Sequence, residues 1–222
     1  MYFYTKSDDY IKLVSDTINE KADALNELGQ YLWDNPELAF KEKKAHDFIT
    51  KYLEPEGFSV AGNYLLDTAY RPSTEFGNGR PVVIIMREYD ALPEIGNACG
   101  HNLIAECAVA TGIALKKALK SDCSLSGKVV VLGTPGEEEG EGKVYLLRDG
   151  AFDGADVALM AHPFTKNISD PATGALGQSG NRSCLRQRCR ETPGDSPPFG
   201  LHPSGGARGS RQHPMLSVAS FE

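Results

Sequence analysis

The residues best suited to chemistry fall in four short stretches. "GNACGHNL" (96–103) sets Cys99 and His101 two residues apart. "REYDALP" (87–93) carries Glu88 and Asp90, "TPGEEEGEG" (134–142) carries Glu137, Glu138 and Glu139, and "MAHP" (160–163) carries His162. Imidazole, thiolate and carboxylate together are the ligand set of zinc or another transition metal. The same residue types allow a second chemistry, in which Cys99 is a nucleophile paired with His101 or His162. Local signatures of thiol hydrolases are absent around Cys99, and the glutamates would then be idle. Taken singly, each residue has a structural reading. A free cysteine is most often a small buried hydrophobe, and an acidic run is most often a solvated turn.

The elements that must position these residues alternate in type. Ile11, Val14, Ile18, Ala22, Leu25, Leu28 and Leu32 recur every three or four residues and predict one amphipathic helix over about 10–32. "DNP" (34–36) ends it. A second helix carries Ala45, Phe48, Ile49, Tyr52 and Leu53. "PVVIIMREY" (81–89), "GKVVVLGTP" (127–135) and "ADVALMAHP" (155–163) predict strands. Helices are expected over 101–120 and 143–150. Strands alternating with helices imply an α/β fold with a largely parallel sheet covered on both faces. In such sheets chemistry collects beyond the carboxyl ends of the strands. Each predicted strand runs into one of the polar stretches, so Cys99, His101, the carboxylates and His162 are expected to converge on one rim. Reading "GEEEG" as an extended turn sends Glu137 and Glu138 to opposite sides.

Composition bounds the partners. The 222 residues carry a net charge of −7, which speaks against a nucleic-acid surface. The runs "VVIIM" and "VVVL" are too short to span a bilayer. The first residues lack the apolar core of a secretory signal, and five irregularly spaced cysteines do not read as a disulfide framework. The expected compartment is therefore the cytoplasm. All 13 lysines lie at or before Lys166, and six arginines with much Gly, Pro and Ser follow it. Residues 1–173 are expected to be the folded part and 174–222 an unstructured tail. The abrupt change has the pattern of a shifted reading frame or an aberrant splice.

Four blocks in order, "LWDNPELAFKEKKAHDFITKYLEPEGFSV" (32–60), "REYDALPEIGNACGHNLIAE" (87–106), "GTPGEEEGEGK" (133–143) and "DVALMAHP" (156–163), resemble the signatures of the M20 metallopeptidases. The resemblance is to their amidohydrolase branch, subfamily D, and spans about residues 10–170. It implies the N-terminal part of a zinc-peptidase-like catalytic domain. It also implies metal-dependent hydrolysis of an amide in dipeptides or N-acyl amino acids, including dipeptides ending in Arg or Lys. Two divalent ions (zinc, manganese or cobalt) are implied. Cys99, His101, Glu138 and His162 match ligand positions, with Cys99 bridging the ions. Glu137 matches the general base, and Asp90 the aspartate that supports the site from behind. Glu88 stands where other branches place a ligand histidine, Asn97 replaces a frequent histidine, and Glu139 has no counterpart role. The family pattern continues into a lid domain, through which homodimers form, and ends with a last ligand histidine. Neither is matched within 174–222, so this chain is expected to be incomplete and weakly active or inactive. A remnant that keeps the fold and one metal is the other outcome consistent with that pattern.

Overall fold

Helical periodicity and β-branched runs alternate along the chain, and the computed structural model follows them; it describes residues 6–61, 66, 71–76, 80–164, 168–170 and 215–221. The helices are α1 (Lys6–Glu20), α2 (Ala22–Asp34), α3 (Lys43–Leu53), α4 (His101–Ser121), α5 (Glu137–Gly140) and α6 (Gly142–Arg148). The strands are β1 (Ser59–Ala61), β2 (Arg71–Phe76), β3 (Val82–Arg87), β4 (Gly127–Gly133), β5 (Val157–Pro163), β6 (Ile168–Asp170) and β7 (Met215–Phe221). They form one sheet in the order β1-β2-β4-β3-β5-β7-β6. The centre is parallel, β4 with β3 and β3 with β5. Towards the edges, β2 runs antiparallel to β4 and to β1, and β6 antiparallel to β7.

The central strands are apolar along their length because both faces are covered. Successive side chains of a strand point to opposite faces. Ile85 and Val131 pack with Leu28, Ile49, Leu53 and Val109 of the helical layer made by α2, α3 and α4. Their neighbours Ile84, Met86, Val130 and Leu132 turn the other way, against Leu146, Phe152 and Ala158. Fully burying one such side chain contributes about 1.5–3 kcal/mol.

This two-sided cover fixes the topology. The chain leaves β3, crosses one face in α4 and returns as β4. It then crosses the other face in α6 and returns as β5 on the far side of β3. The carboxyl end of β3 is therefore a switch point, where connections diverge and leave a crevice.

Two expectations differ from the structure. The helix expected over about 10–32 is two helices, parted at Lys21 with φ −101° and ψ 2°. The Lys21 N–H bonds the Ile18 carbonyl at 3.1 Å, a tighter turn than an α-helix makes. The break lets both α1 and α2 lie on α4. The second difference concerns the tail. Most of 174–222 lies outside the described residues, but Met215–Phe221 is not unstructured: it pairs parallel to β5, from Val157↔Met215 to Pro163↔Phe221. "MLSVASF" lacks the glycine, proline and charge that fill the preceding sequence, and it suits a strand beside an open edge.

Candidate metal centre

A glycine-hinged corner places Cys99 and His101. Gly96 (φ +62°) opens it, a 3₁₀ turn spans Asn97–Cys99, and Gly100 (φ +85°) turns the chain into α4. A Cβ on Gly100 would stand 2.9 Å from Pro163 Cγ, so glycine is needed both for conformation and for space. That contact sets the corner against the end of β5, beside His162. Asn97 Nδ2 donates to the Leu32 carbonyl at 2.9 Å, which anchors the corner to α2. On the other side, the Thr134 N–H and hydroxyl both donate to the Arg87 carbonyl, at 2.8 and 3.0 Å. The buried Glu42 accepts the Gly136 N–H at 2.8 Å. These bonds hold the Glu137–Glu138 turn beside Asp90.

Everything then surrounds one imidazole. His101 Nδ1 lies 2.8 Å from the Asp90 carbonyl and 3.1 Å from Asp90 Oδ1. A carbonyl only accepts, so Nδ1 carries a hydrogen and Nε2 is the atom left for a ligand. Nε2 is 3.1 Å from Glu88 Oε2, 3.6 Å from Glu138 Oε1 and 4.0 Å from Glu137 Oε2. Asp90 Oδ2 also accepts the Glu138 N–H at 2.8 Å, so one carboxylate braces two neighbours. The His162 ring stands edge-on to His101 with centroids 6.1 Å apart, and its Nδ1 donates to the Pro163 carbonyl at 2.8 Å. Potential ligand atoms lie within 4.8 Å of one another in two overlapping groups: Cys99, His101 and Glu138, and Glu88, His101 and His162.

The electrostatics fit a cation. Glu88, Asp90 and His101 are fully buried. Glu88 Oε2 and His101 Nε2 have no hydrogen-bond partner of good geometry although they face each other. Burial works against the His101 imidazolium, but Asp90, Cys99 and Glu88 outweigh it and raise its pKa to about 11. Burial would push Glu88 up, but Lys143 and His101 hold it below the ordinary carboxylate range. Asp90 is likewise depressed, its burial overcome by His101 and the Glu138 N–H. A buried pocket with this much negative charge, soft and nitrogen donors, and orphaned ligand atoms suits a divalent ion.

The six residues given a role by the family resemblance, Asp90, Cys99, His101, Glu137, Glu138 and His162, gather at the strand ends. The extended turn expected at 137–138 is instead the helical turn α5. Adjacent side chains of a helix diverge by about 100° rather than 180°, and both glutamates face His101. Glu139 points to solvent. Glu88, left without a role, sits at the centre together with Lys143, whose Nζ pairs with Glu88 Oε1. His202 and His213 lie outside the described residues. A cleft of about 510 Å³ opens beside Cys99, lined among others by Gln30, Trp33, Asn102, Leu103 and Pro163.

Comparison with known proteins bears on this arrangement. No family model matches the chain. It is 42% identical over 165 residues to the Xaa-Arg dipeptidase of Mus musculus, covering 70% of this chain and 38% of that protein. The Homo sapiens Xaa-Arg dipeptidase is 41% identical over 176 residues, 72% of this chain and 40% of the relative. Among solved structures, the Bacillus subtilis YXEP protein, described as a dinuclear metal-binding peptidase from the M20 family, superposes with a TM-score of 0.58 at 23% identity, over 65% of this chain and 44% of that one. The chain belongs to the M20 family. The same fold is seen in the aminobenzoyl-glutamate utilization protein from Klebsiella pneumoniae, with a TM-score of 0.59 at 14% identity, over 72% of this chain and 49% of that one. The M20 chain spans about 40% of the length of the curated relatives it matches.

Proposed function

We propose that residues 1–173 are the N-terminal part of an M20 catalytic domain whose activity is metal-dependent hydrolysis of an amide bond in dipeptides or N-acyl amino acids. Dipeptides ending in Arg or Lys are the preferred class. The observation that carries this reading is the surroundings of His101 Nε2, which faces Glu88, Glu138 and Glu137 within 4.0 Å while Nδ1 is tied to Asp90. A thiol hydrolase would have no use for that ring of carboxylates. The substrate class rests on two relatives that carry the name Xaa-Arg dipeptidase.

Cys99, His101, Glu138 and His162 would hold two divalent ions, with zinc, manganese and cobalt the candidates. The bound ions would acidify a water molecule and polarise the scissile carbonyl. Glu137, half-exposed beside His101, takes the proton from the attacking water and hands it to the leaving amine. Asp90 fixes the His101 tautomer and the Glu138 backbone, a positioning role. The cleft past Trp33 and Leu103 receives the substrate's apolar parts. A cysteine that must stay a free thiol until it takes up its ion is best kept in a reducing compartment, which favours the cytoplasm; among the described residues, Cys99, Cys107 and Cys123 are free thiols. Because the chain spans about 40% of its relatives, we also propose that these residues alone turn over substrate slowly.

The test is to load the chain with zinc, cobalt or manganese and follow release of free Arg or Lys by chromatography. Hydrolysis is expected to stop with a chelator and with Glu137→Gln, and to favour basic over acidic C-terminal residues. Activity that survives chelation but disappears on thiol alkylation would overturn the metal reading.

A further inference from the structure

Glu88 is buried to 1% side-chain exposure, at the switch point of the sheet, and is left over from the ligand set just described. Its two oxygens differ. Oε1 is taken by Lys143 Nζ. Oε2 has no hydrogen-bond partner and lies 3.1 Å from His101 Nε2, which has none either. With Nδ1–H committed to Asp90, Nε2 is the nitrogen that faces the carboxylate, and it offers its lone pair to a metal once its own proton leaves. Two buried lone pairs at that distance need a proton or a cation between them.

The spacing suits a divalent ion as well as a shared proton. Ligand bonds of about 2.0–2.2 Å meeting between a right angle and a tetrahedral angle put neighbouring N and O donors roughly 2.8–3.6 Å apart. The observed 3.1 Å falls inside that range. His162 completes a triangle with these two, since its ligand atom lies within 4.8 Å of theirs. Its Nδ1 donates to the Pro163 carbonyl, so its free nitrogen is also Nε2.

We propose that Glu88 is a metal ligand, its Oε2 joining His101 Nε2 and His162 on one divalent ion while Lys143 holds its other oxygen. The proposal rests on the metal reading above. Lys143 makes the carboxylate monodentate and offsets its charge. It also competes with the ion for Glu88, so Glu88 and Lys143 act in opposite directions on metal affinity.

Cobalt(II) titration of the 222-residue chain tests this, read by visible absorption and by calorimetry. Glu88→Gln keeps shape but weakens the donor, and should lower the affinity for one ion at least tenfold and alter the visible bands. Lys143→Met should raise cobalt affinity at least threefold. Glu139→Gln, at an exposed position, should match the parent. Cobalt affinity and bands unchanged in a folded Glu88→Gln chain would overturn the proposal while leaving the metal reading intact. No cobalt uptake by the parent chain would overturn both. If Glu88→Gln does not fold by circular dichroism, Lys143→Met decides: equal or weaker binding there would overturn the assignment.

Discussion

The two sides of His101 are built differently. On one side Glu88 is sealed beneath the sheet's rim, with its charge balanced by Lys143. On the other, Cys99, Glu137 and Glu138 are half-exposed, and Cys99 lines the cleft. A sealed side can fix an ion but admits no substrate. An open side can meet water and a peptide but is less well defended against exchange. The difference assigns holding to one flank and chemistry to the other, with one imidazole common to both.

That shared role can be broken most severely at His101. His101→Ala removes a donor from both groups, and metal affinity should fall by more than about 100-fold. Calorimetry that still found one ion bound at parental strength would mean that the two flanks do not share the ring. Asp90→Asn comes next. It keeps the carbonyl bonded to Nδ1 but weakens the support of His101 and of the Glu138 N–H, and should cost about 10–100-fold in affinity. Competition against a chromophoric chelator measures this, and a change under twofold would reduce Asp90 to a bystander. Gly100→Ala strikes the joint between the corner and β5. A left-handed residue pressed on Pro163 should lower stability by about 1–3 kcal/mol in urea unfolding, with metal uptake declining in parallel.

The mildest probe is pH. His101 holds its proton in the ion-free chain up to about 11, above its usual 6.5. Stabilisation from that raised pKa is present below the unfolded value and is lost as pH rises through about 11. An ion at Nε2 must displace the proton, so apparent metal affinity should rise with pH, by about tenfold per unit if one proton leaves. Potentiometry that detected no proton release between pH 6 and 8 would place the ion away from His101.

Periodicity made the centre of the fold legible. "VVIIMR" and "KVVVL" are short, β-branched and apolar at nearly every position, as a strand covered on both faces needs. The helix over 101–120 and the short one near 143–150 followed from the same reasoning and appear as α4 and α6. The break at Lys21 has no glycine or proline to announce it; it accompanies the packing of both α1 and α2 on α4, which the local sequence does not show. Strand β2, "RPSTEF", is polar and held by pairing to β4, so its own residues gave no signal. In the site, the convergence of Cys99, His101 and His162 followed from strand ends. The place of Glu88 did not, since the sequence shows neither its burial nor the lysine 55 residues away that neutralises it.

The Glu88–Lys143 pair also constrains how the chain can change over time. Losing one partner of a buried ion pair leaves an uncompensated charge and costs about 3–5 kcal/mol, whereas replacing both is often nearly neutral. Glu88 lies just past the end of β3 and Lys143 at the start of α6, so no single short insertion or local substitution alters both. A lineage that abandons the pair passes through a destabilised intermediate whichever partner it loses first. Positions 88 and 143 should therefore be exchanged together among relatives, as glutamate with lysine or as two neutral residues, and mixed pairs should be rare.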